Sequence, residues 1–557
     1  MLRRRASAFA IGACLLAATP ATHTAHAETT EPLDVRLLGF NDLRGALTPP
    51  AGADGEMVNT DGSTVQAGGA AYLAAYVAQL RSQAPHSLLY SVGDNWGSSA
   101  LESALFHDEP TVDVLNAMGV AASAVGNMEL GSGVSELLRL QHGGCHPVDG
   151  CRFDRDFGGA SFPFLAANLN RAGAPVTMPF AIDNVGTTPV GVIGVLPSDA
   201  PRFVDQNAVG DLEFGDELAA IDHTADVLDF FGVKAITVLL HKGDDSSPAA
   251  IGPDSCDLVS STARQIAEQA SPKVDVVFTA AGGHQYNCTV RDPAGNPRVF
   301  MQGASAGRAV SVVDLAVDPA TGEVLRDRIS SFNQIVSRDI APDPQVEEIV
   351  GKAVSKVAAV ANRDVGTVSA DIPRAPAPSG ESALGNLIAD AQLATAAPAG
   401  AQLAFTNAGG IRADLSGTCV RYGEAYAVQP FGNPIRVVPL SGVQLYQLLD
   451  QQFQPRPDGT VWRETLAPSG NVGYRVDRSG ERDVISDMTV DGIPVDPDAV
   501  YRVAVNDFLA HGGDGFTVLD GAQPVADAGK DTDALARYLT IHSPVAPPAT
   551  DRITVVN

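Results

Sequence analysis

The chain has 557 residues, of which 45% are hydrophobic, and this is more than one hydrophobic core requires. Its formal net charge of −28 argues against binding of nucleic-acid polymers or anionic membranes through a basic face. We therefore expect at least two globular domains, in which a phosphate site would need concentrated local positive charge.

The N-terminus has the features of a secretory signal peptide. A basic start, MLRRR, is followed by an apolar stretch through Leu16 and by small residues at Ala25 and Ala27. We expect cleavage after Ala27, which removes residues 1–27 and exports the protein. Cys14 leaves a lipoprotein alternative open, although the apolar stretch before it is very short. No other stretch reaches the roughly 18 apolar residues of a membrane span, so we expect a soluble mature protein.

The cysteine spacing predicts two local disulfides in an oxidising compartment. Cys145 and Cys151 flank one short loop, and Cys256 is expected to pair with Cys288. Cys419 is then left without a partner. The chain has no C-x-x-C pair, which argues against zinc binding by the cysteines.

The first half alternates β-branched runs with helical patterns, which predicts a layered α/β domain over residues 28–340. Asp343 then reads as a helix N-cap before Pro344, and this helix, within residues 341–362, connects the two units. Its apolar stripe consists of Val346, Ile349, Val350, Ala353, Val354 and Val357. The proline-rich segment IPRAPAPSG follows it and begins a second unit, residues 363–557.

Four polar residues follow apolar strands of the first half. They are Asp42, Asp94, Asn127 and His241, each at the carboxyl end of a predicted strand. Ligands of α/β sheets bind on that side, and these residue types bind divalent cations. Each residue alone is also explained by turn chemistry, because Asp and Asn after a strand commonly satisfy backbone donors.

The motifs FNDLRG, VGDN, AVGN, LLHKG, NAGGIR and GGDGF occur in this order, and the series resembles the secreted bacterial 5'-nucleotidase family. The resemblance covers essentially the whole mature chain. It implies an N-terminal metallophosphoesterase domain with two divalent cations (zinc, manganese, magnesium or calcium) and a C-terminal α/β domain that grips the nucleotide. In that family the two cations clamp a phosphoryl group and generate a hydroxide nucleophile. Nucleoside 5'-phosphates are the implied ligands.

The resemblance assigns metal ligands unevenly. Asp42 matches the first aspartate ligand, Asp94 the aspartate that bridges both metals, and Asn127 and His241 two further ligands. The family has a histidine two residues after the first aspartate, where this chain has Arg44. A guanidinium can bind phosphate through two hydrogen bonds, but it cannot acidify water as a metal does.

Two other positions depart from the family pattern. The catalytic histidine and aspartate of the GNHEFD motif are replaced by Met128 and Gly131, neither of which donates a proton or carries charge. In an ungapped alignment the later Gly-His-x-His turn has Ala281 and Gly283 at its histidine positions. A shifted alignment would let His284 supply one metal ligand instead, and the ungapped one is preferred.

The second half departs less from the pattern. The resemblance assigns nucleotide contacts to Asn407, Gly409, Arg412, Phe431, Phe508 and Asp514. Arg412 would bind phosphate, the two phenylalanines would sandwich the base, and Asp514 would hold the ribose hydroxyls. Stacking tolerates different bases, so a broad base preference is implied. Plain core packing is the alternative for Phe431 and Phe508.

The sequence therefore favours a secreted protein that recognises nucleoside 5'-phosphates and hydrolyses them weakly or not at all. One alternative is an active metal-dependent phosphomonoesterase with a site rebuilt around Asp42, Asp94, Asn127, His241 and His284. The other is an extracellular scaffold that binds no small molecule.

Overall fold

The computed structural model describes residues 31–244, 252–256, 261–282, 284–455, 461–480 and 482–556. The predicted signal peptide, with Cys14 and the cleavage position at Ala27, lies outside the described residues. Gly283 of the predicted histidine turn lies outside them as well.

Two six-stranded sheets form the first half. The first sheet has, in spatial order, the strands Ser330–Ile335, Ala309–Val317, Leu33–Phe40, Ser87–Ser91, Ala122–Ala124 and Phe164–Leu165. The second has Tyr286–Arg291, Pro297–Gln302, Val276–Thr279, Ala235–Leu240, Thr188–Val195 and Phe180–Val185. The last four strands of the first sheet and the four central strands of the second are parallel.

The two sheets pack face to face around one apolar core. Leu37 and Tyr90 of the first sheet share a buried cluster with Val192 and Leu239 of the second. At Gly39 an added Cβ would lie 3.0 Å from the ring of Phe278, so the absence of a side chain lets the two sheets approach closely here.

Helices cover the outer face of each sheet. Those packed on the first sheet include Ala70–Ser82, Glu109–Met118 and Val134–His142, and those on the second are Glu217–Phe230 and Thr262–Gln269. Two short helices, Leu101–Ala104 and Gln206–Val209, lie in the connections. The arrangement is helix, sheet, sheet, helix, which confirms the predicted layered α/β class.

A helix spanning Pro344–Ala361 connects the two halves. It begins as predicted, because the Asp343 side chain accepts the N–H groups of Gln345 and Val346. The stripe is buried at Val346, Ala353 and Val357, but Val354 is 39% exposed. The prediction for Val354 was wrong because the buried stripe is only one helix face wide and this position lies at its margin.

Further strands of the first half form small sheets, Leu169–Arg171 with Ala174–Pro175 and Leu212–Phe214, and Glu56–Val58 with Thr64–Gln66. The second half contains a five-stranded sheet with the order Leu466–Pro468, Leu403–Asn407, Val500–Asn506, Pro434–Ser441 and Ala526–Lys530. A four-stranded sheet has the order Ile493–Pro494, Val484–Val490, Val472–Asp477 and Ile553–Val556. Two-stranded pairs are Asp364–Thr367 with Cys419–Arg421 and Phe453–Pro455 with Val461–Arg463.

The helices of the second half are Ala383–Ala396, Tyr422–Val428, Gly442–Asp450, Asp507–Ala510, Thr517–Asp520 and Asp531–His542. The long helices Ala383–Ala396 and Asp531–His542 contact each other, and leucines from both enter one buried cluster. The second half is therefore the α/β unit that the sequence predicts.

Both predicted disulfides are present. Cys145 is bonded to Cys151 and Cys256 to Cys288. Cys419 forms no disulfide and is exposed.

Polar contacts join the two halves. Arg202 donates a hydrogen bond to the Gln454 side chain (2.6 Å), and Arg374 forms an ion pair with Asp54 (2.6 Å). The halves are thus in contact along the cleft between them.

Candidate active site

The predicted metal ligands converge at one edge of the sheet sandwich. Asp42, Asp94 and Asn127 follow three neighbouring parallel strands, and His241 follows a strand of the second sheet. His241 Nε2 lies 3.1 Å from Asp94 Oδ1. Ligand atoms of Asp42, Asp94 and His241 all lie within 4.8 Å of one another, and the three residues are buried.

Backbone geometry gives these side chains their positions. Asp42 and Asp94 adopt left-handed φ angles of 50° and 52°, which non-glycine residues rarely do outside functional loops. At Gly126 an added Cβ would lie 2.3 Å from Asp94 Oδ1 and 2.6 Å from His241 Cε1. The loop before Asn127 therefore needs a glycine to let the two ligands approach the backbone.

His241 is oriented as a metal-binding histidine. Its Nδ1 lies 2.7 Å from the carbonyl oxygen of Val92, an arrangement that directs Nε2 toward Asp94. Nε2 is buried and has no well-aligned hydrogen bond among the described residues. Burial alone would lower the pKa of His241, but the Asp94 carboxylate outweighs it and raises this pKa to about 9. A positive charge at this position is thus strongly favoured, and the buried Asp94 carboxylate and His241 imidazole fit a divalent cation.

The position of the other metal does not fit a cation. The Arg44 guanidinium lies 3.1 Å from Asp42 Oδ1, and Asp42 Oδ2 already accepts hydrogen bonds from Asn41 and from the N–H of Ala281. Burial lowers the pKa of Arg44, but the carboxylates of Asp42 and Asp94 raise it by more. The net pKa is above the usual value, so the guanidinium is charged. Its Nε is buried and has no hydrogen-bond partner among the described residues. A fixed positive charge therefore lies beside Asp42.

Sequence reasoning missed the role of Glu129. Its buried carboxylate accepts the N–H groups of Asp94 (2.9 Å), Asn95 (2.7 Å) and Gly126 (2.8 Å). Burial, with the nearby charge of Asp94, raises the pKa of Glu129 to about 7. The available signal was an acidic residue in an otherwise apolar turn. Glu129 holds together the two loops that carry Asp94 and Asn127.

Met128 and Gly131 both line the cavity at this site. Met128 contributes its backbone, because its N–H donates to Asp94 Oδ1 (2.9 Å). An added Cβ at Gly131 would meet only the Met128 carbonyl oxygen, at 3.2 Å. Neither side chain can transfer a proton to a leaving group.

The structure does not bring His284 into the metal cluster. Its carbonyl oxygen accepts a hydrogen bond from Gln302 (2.8 Å), and its side chain is not part of the group formed by Asp42, Asp94 and His241. Ala281 lines the cavity, with a φ angle of 63°.

One cavity of about 1660 Å³ lies between the two halves. Its wall includes Asp94, Asn127 and His241 from the first half. From the second half it includes all the predicted nucleotide contacts, Asn407, Gly409, Arg412, Phe431, Phe508 and Asp514. These residues of the second half therefore line the same cavity as Asp94, Asn127 and His241.

A buried amide network surrounds Asn407, one of the predicted nucleotide contacts. Asn407 donates to Asp514 Oδ2 (2.7 Å) and accepts from Asn506 (2.9 Å). The ring of Phe508 lies against Gly513, where an added Cβ would be 2.5 Å from it. Asn506 was not identified from the sequence, although its place before the helix Asp507–Ala510 is typical of an N-cap residue.

Arg412 lies where positive charge is costly. Its guanidinium is 5.9 Å from the Phe431 ring centroid and donates to the carbonyl oxygen of Gly409 (3.3 Å). Burial, together with the charge of Arg44, lowers the pKa of Arg412 to about 10. Two guanidinium groups from opposite halves therefore act on each other across the cavity, an arrangement that favours an anion between them.

Comparison with known proteins identifies the family. Residues 357–521 match the family described as 5'-nucleotidase, C-terminal domain. A crystal structure of a 5'-nucleotidase precursor from Thermus thermophilus aligns with a TM-score of 0.76 and 25% identity, covering 94% of this chain and all of that one. The chain belongs to the 5'-nucleotidase family. Members of this family bind nucleotides, and its metallophosphoesterase domain normally uses divalent metals.

Two curated relatives of this 5'-nucleotidase family member are longer proteins. Endonuclease YhcR of Bacillus subtilis is 30% identical over 86% of this chain, but the chain spans only 37% of it. Cell wall protein Lmo0130 of Listeria monocytogenes is 29% identical, with 93% of this chain and 68% of the relative aligned. Within the described residues, no helix combines the length and apolar character needed to cross a membrane.

Proposed function

We propose that this protein binds nucleoside 5'-phosphates in the cavity between its halves and hydrolyses them weakly or not at all. The observation that carries the proposal is the cavity itself, which the predicted nucleotide contacts line together with Asp94, Asn127 and His241. The cavity offers groups that would suit base, ribose and phosphate, whereas Met128 and Gly131 stand where the family has its catalytic histidine and aspartate.

Each part of the nucleotide has a complementary group. Phe431 and Phe508 would hold the base by stacking, and Asp514, fixed by Asn407, would accept hydrogen bonds from the ribose hydroxyls. Arg412 and Arg44 would bind the phosphate, because both are charged and directed toward the same cavity. The phosphate would relieve the repulsion between the two guanidinium groups.

The groups needed for hydrolysis are incomplete. Asp94, Asn127 and His241 would hold one divalent cation, which when bound polarises a phosphoryl oxygen and acidifies water. Arg44 supplies charge in place of a second cation but holds no nucleophile. Met128 and Gly131 offer no proton donor to the departing ribose oxygen. The protein is therefore expected to retain binding and to lose most of the rate.

Phosphate release from AMP by the purified protein tests this. Zinc, manganese, magnesium or calcium would be supplied in turn, with Asp94→Ala as the control for contaminating phosphatases. We expect no release above the Asp94→Ala variant, while AMP raises the melting temperature of the wild type, since a ligand of the native state stabilises it. Absence of an AMP-dependent shift would refute binding.

A second function is favoured by one observation. Asp42, Asp94 and His241 form a compact buried group with metal-ligand chemistry, as an active metal-dependent phosphomonoesterase would need. Turnover that is lost in Asp94→Ala would establish this function. A purified protein without stoichiometric metal, and without turnover in any metal, would reject it.

We also propose that the protein is exported and acts on free nucleotides. Its two disulfides and a relative named as a cell wall protein support export. The net charge of −28 disfavours a nucleic-acid polymer as ligand, and the endonuclease named among the relatives is much longer than this chain.

A further inference from the structure

Two histidines and an aspartate form a second compact group away from Asp94. His107 precedes the helix Glu109–Met118, whereas His146 and Asp149 lie in the loop closed by the Cys145–Cys151 disulfide. One ligand atom of each of the three residues lies within 4.8 Å of the other two. We propose that this group binds a transition-metal ion of the zinc class.

The distances suit one ion. His107 Nε2 is 2.9 Å from Asp149 Oδ2, and His146 Nδ1 is 3.8 Å from the same oxygen. Ligand atoms around a tetrahedral zinc, with bonds of about 2.0–2.2 Å, are about 3.3–3.6 Å apart, and the two observed values lie on either side of this range. Two imidazoles and one carboxylate are a usual zinc ligand set, which leaves the fourth position open to water or an anion.

The two imidazole rings lie face to face. They stack with their centroids 3.6 Å apart and an interplanar angle of 5°. The χ2 torsion of histidine has a broad energy minimum, and both rings can therefore turn toward one ion at small cost.

The disulfide loop presents its two ligands on a constrained backbone. The Gly150 N–H donates to the carbonyl oxygen of His146 (2.9 Å) inside the loop. His146 Nδ1 accepts the N–H groups of Val148 (3.4 Å) and Asp149 (3.2 Å), both longer than the usual 2.9–3.0 Å. An ion at Nδ1 would thus displace only weak hydrogen bonds.

The site lies in the wall of the nucleotide cavity. His107 and His146 line it together with Arg412 and Phe431 of the other half. An ion bound by these histidines would add a second positive centre to the cavity wall. It would do so with ligands unrelated to the Asp94 position, since none of the three residues belongs to that cluster.

Zinc binding by the purified protein tests the proposal. The metal-free Asp94→Ala variant, in which the first position is removed, would be titrated with zinc chloride by calorimetry, and zinc per chain measured after dialysis. We expect one tightly bound zinc. Adding His146→Phe, which keeps a flat ring against His107 without its nitrogens, should weaken binding more than about 100-fold, because loss of outer-shell partners alone costs about 10–100-fold.

His223→Phe serves as the matched control, since His223 is exposed and belongs to no such group among the described residues. It should leave zinc binding unchanged. Asp149→Asn is a second variant that keeps the loop and should also weaken binding. The proposal would be overturned if the Asp94→Ala variant bound zinc with the same affinity and stoichiometry with and without the added His146→Phe substitution. It would also be overturned if the Asp94→Ala variant bound no zinc while its circular dichroism showed a folded chain.

Discussion

Replacing Arg412 by alanine should separate phosphate recognition from nucleoside recognition. Among the described residues the guanidinium has one long hydrogen bond, to Gly409, so it can turn to bind a phosphate oxygen pair. A hydrogen bond to a charged group contributes about 1.5–3 kcal/mol, which is about a 10- to 150-fold change in Kd. We expect Arg412→Ala to raise the Kd of AMP by this factor and to leave the Kd of adenosine unchanged.

The free variant should be no less stable than the wild type. Burial and Arg44 lower the pKa of Arg412 from 12.5 to about 10, which means that the folded chain disfavours this charge by at most about 3 kcal/mol. Calorimetry with AMP and with adenosine, and a thermal melt without ligand, measure these effects. Arg171→Ala, at an exposed ion pair with Asp211, is the matched control. Equal weakening of AMP and adenosine binding would refute the assignment of Arg412 to phosphate.

Three further predictions concern catalysis and stability. Met128→His with Gly131→Asp, where an added Cβ at Gly131 lies 3.2 Å from the Met128 carbonyl oxygen, should raise phosphate release from AMP above the background of the Asp94→Ala variant. Release that stays at this background would locate the defect at Arg44. Burial raises the pKa of Asp531 from 3.8 to about 7, so its charge destabilises the fold increasingly as pH rises through this window. The stability gain of Asp531→Asn in urea melts should therefore grow by up to about 3 kcal/mol between pH 5 and pH 8, and a pH-independent gain would contradict this. Removing the Cys256–Cys288 disulfide, whose cysteines are 32 residues apart, should lower the free energy of unfolding by about 4 kcal/mol. Removing Cys145–Cys151, whose cysteines are six residues apart, should lower it by about 2 kcal/mol. Urea melts of the paired serine variants measure both losses, and the reverse order would show that loop closure does not govern the effect.

The edge of the sheet sandwich was predictable from strand chemistry. Asp42, Asp94 and Asn127 follow apolar runs, and the carboxyl ends of neighbouring parallel strands must meet. The N-cap at Asp343 likewise gave the start of the connecting helix. That His241 reaches the same place from a different sheet required the family resemblance, because periodicity does not specify how two sheets face each other.

The remaining features depend on contacts between distant segments. Glu129 acts through backbone N–H groups of a loop some thirty residues earlier, which no local pattern encodes. His107 and His146 stack although two helices and a strand lie between them in the sequence. The proximity of Arg412 to Arg44 arises from the packing of one half on the other, which a pattern within either half does not contain.

The contacts that join the halves have a consequence for how long a nucleotide stays bound. The ion pair of Arg374 with Asp54 is largely exposed, and the Arg202–Gln454 hydrogen bond also lies at the surface. Dissolved ions screen such exposed pairs within about 8–10 Å at physiological ionic strength. Separation of the halves would remove one side of the proposed nucleotide contacts in the cavity. The residence time of a bound nucleotide should therefore shorten as ionic strength rises, even for a neutral nucleoside that has no charge of its own to be screened.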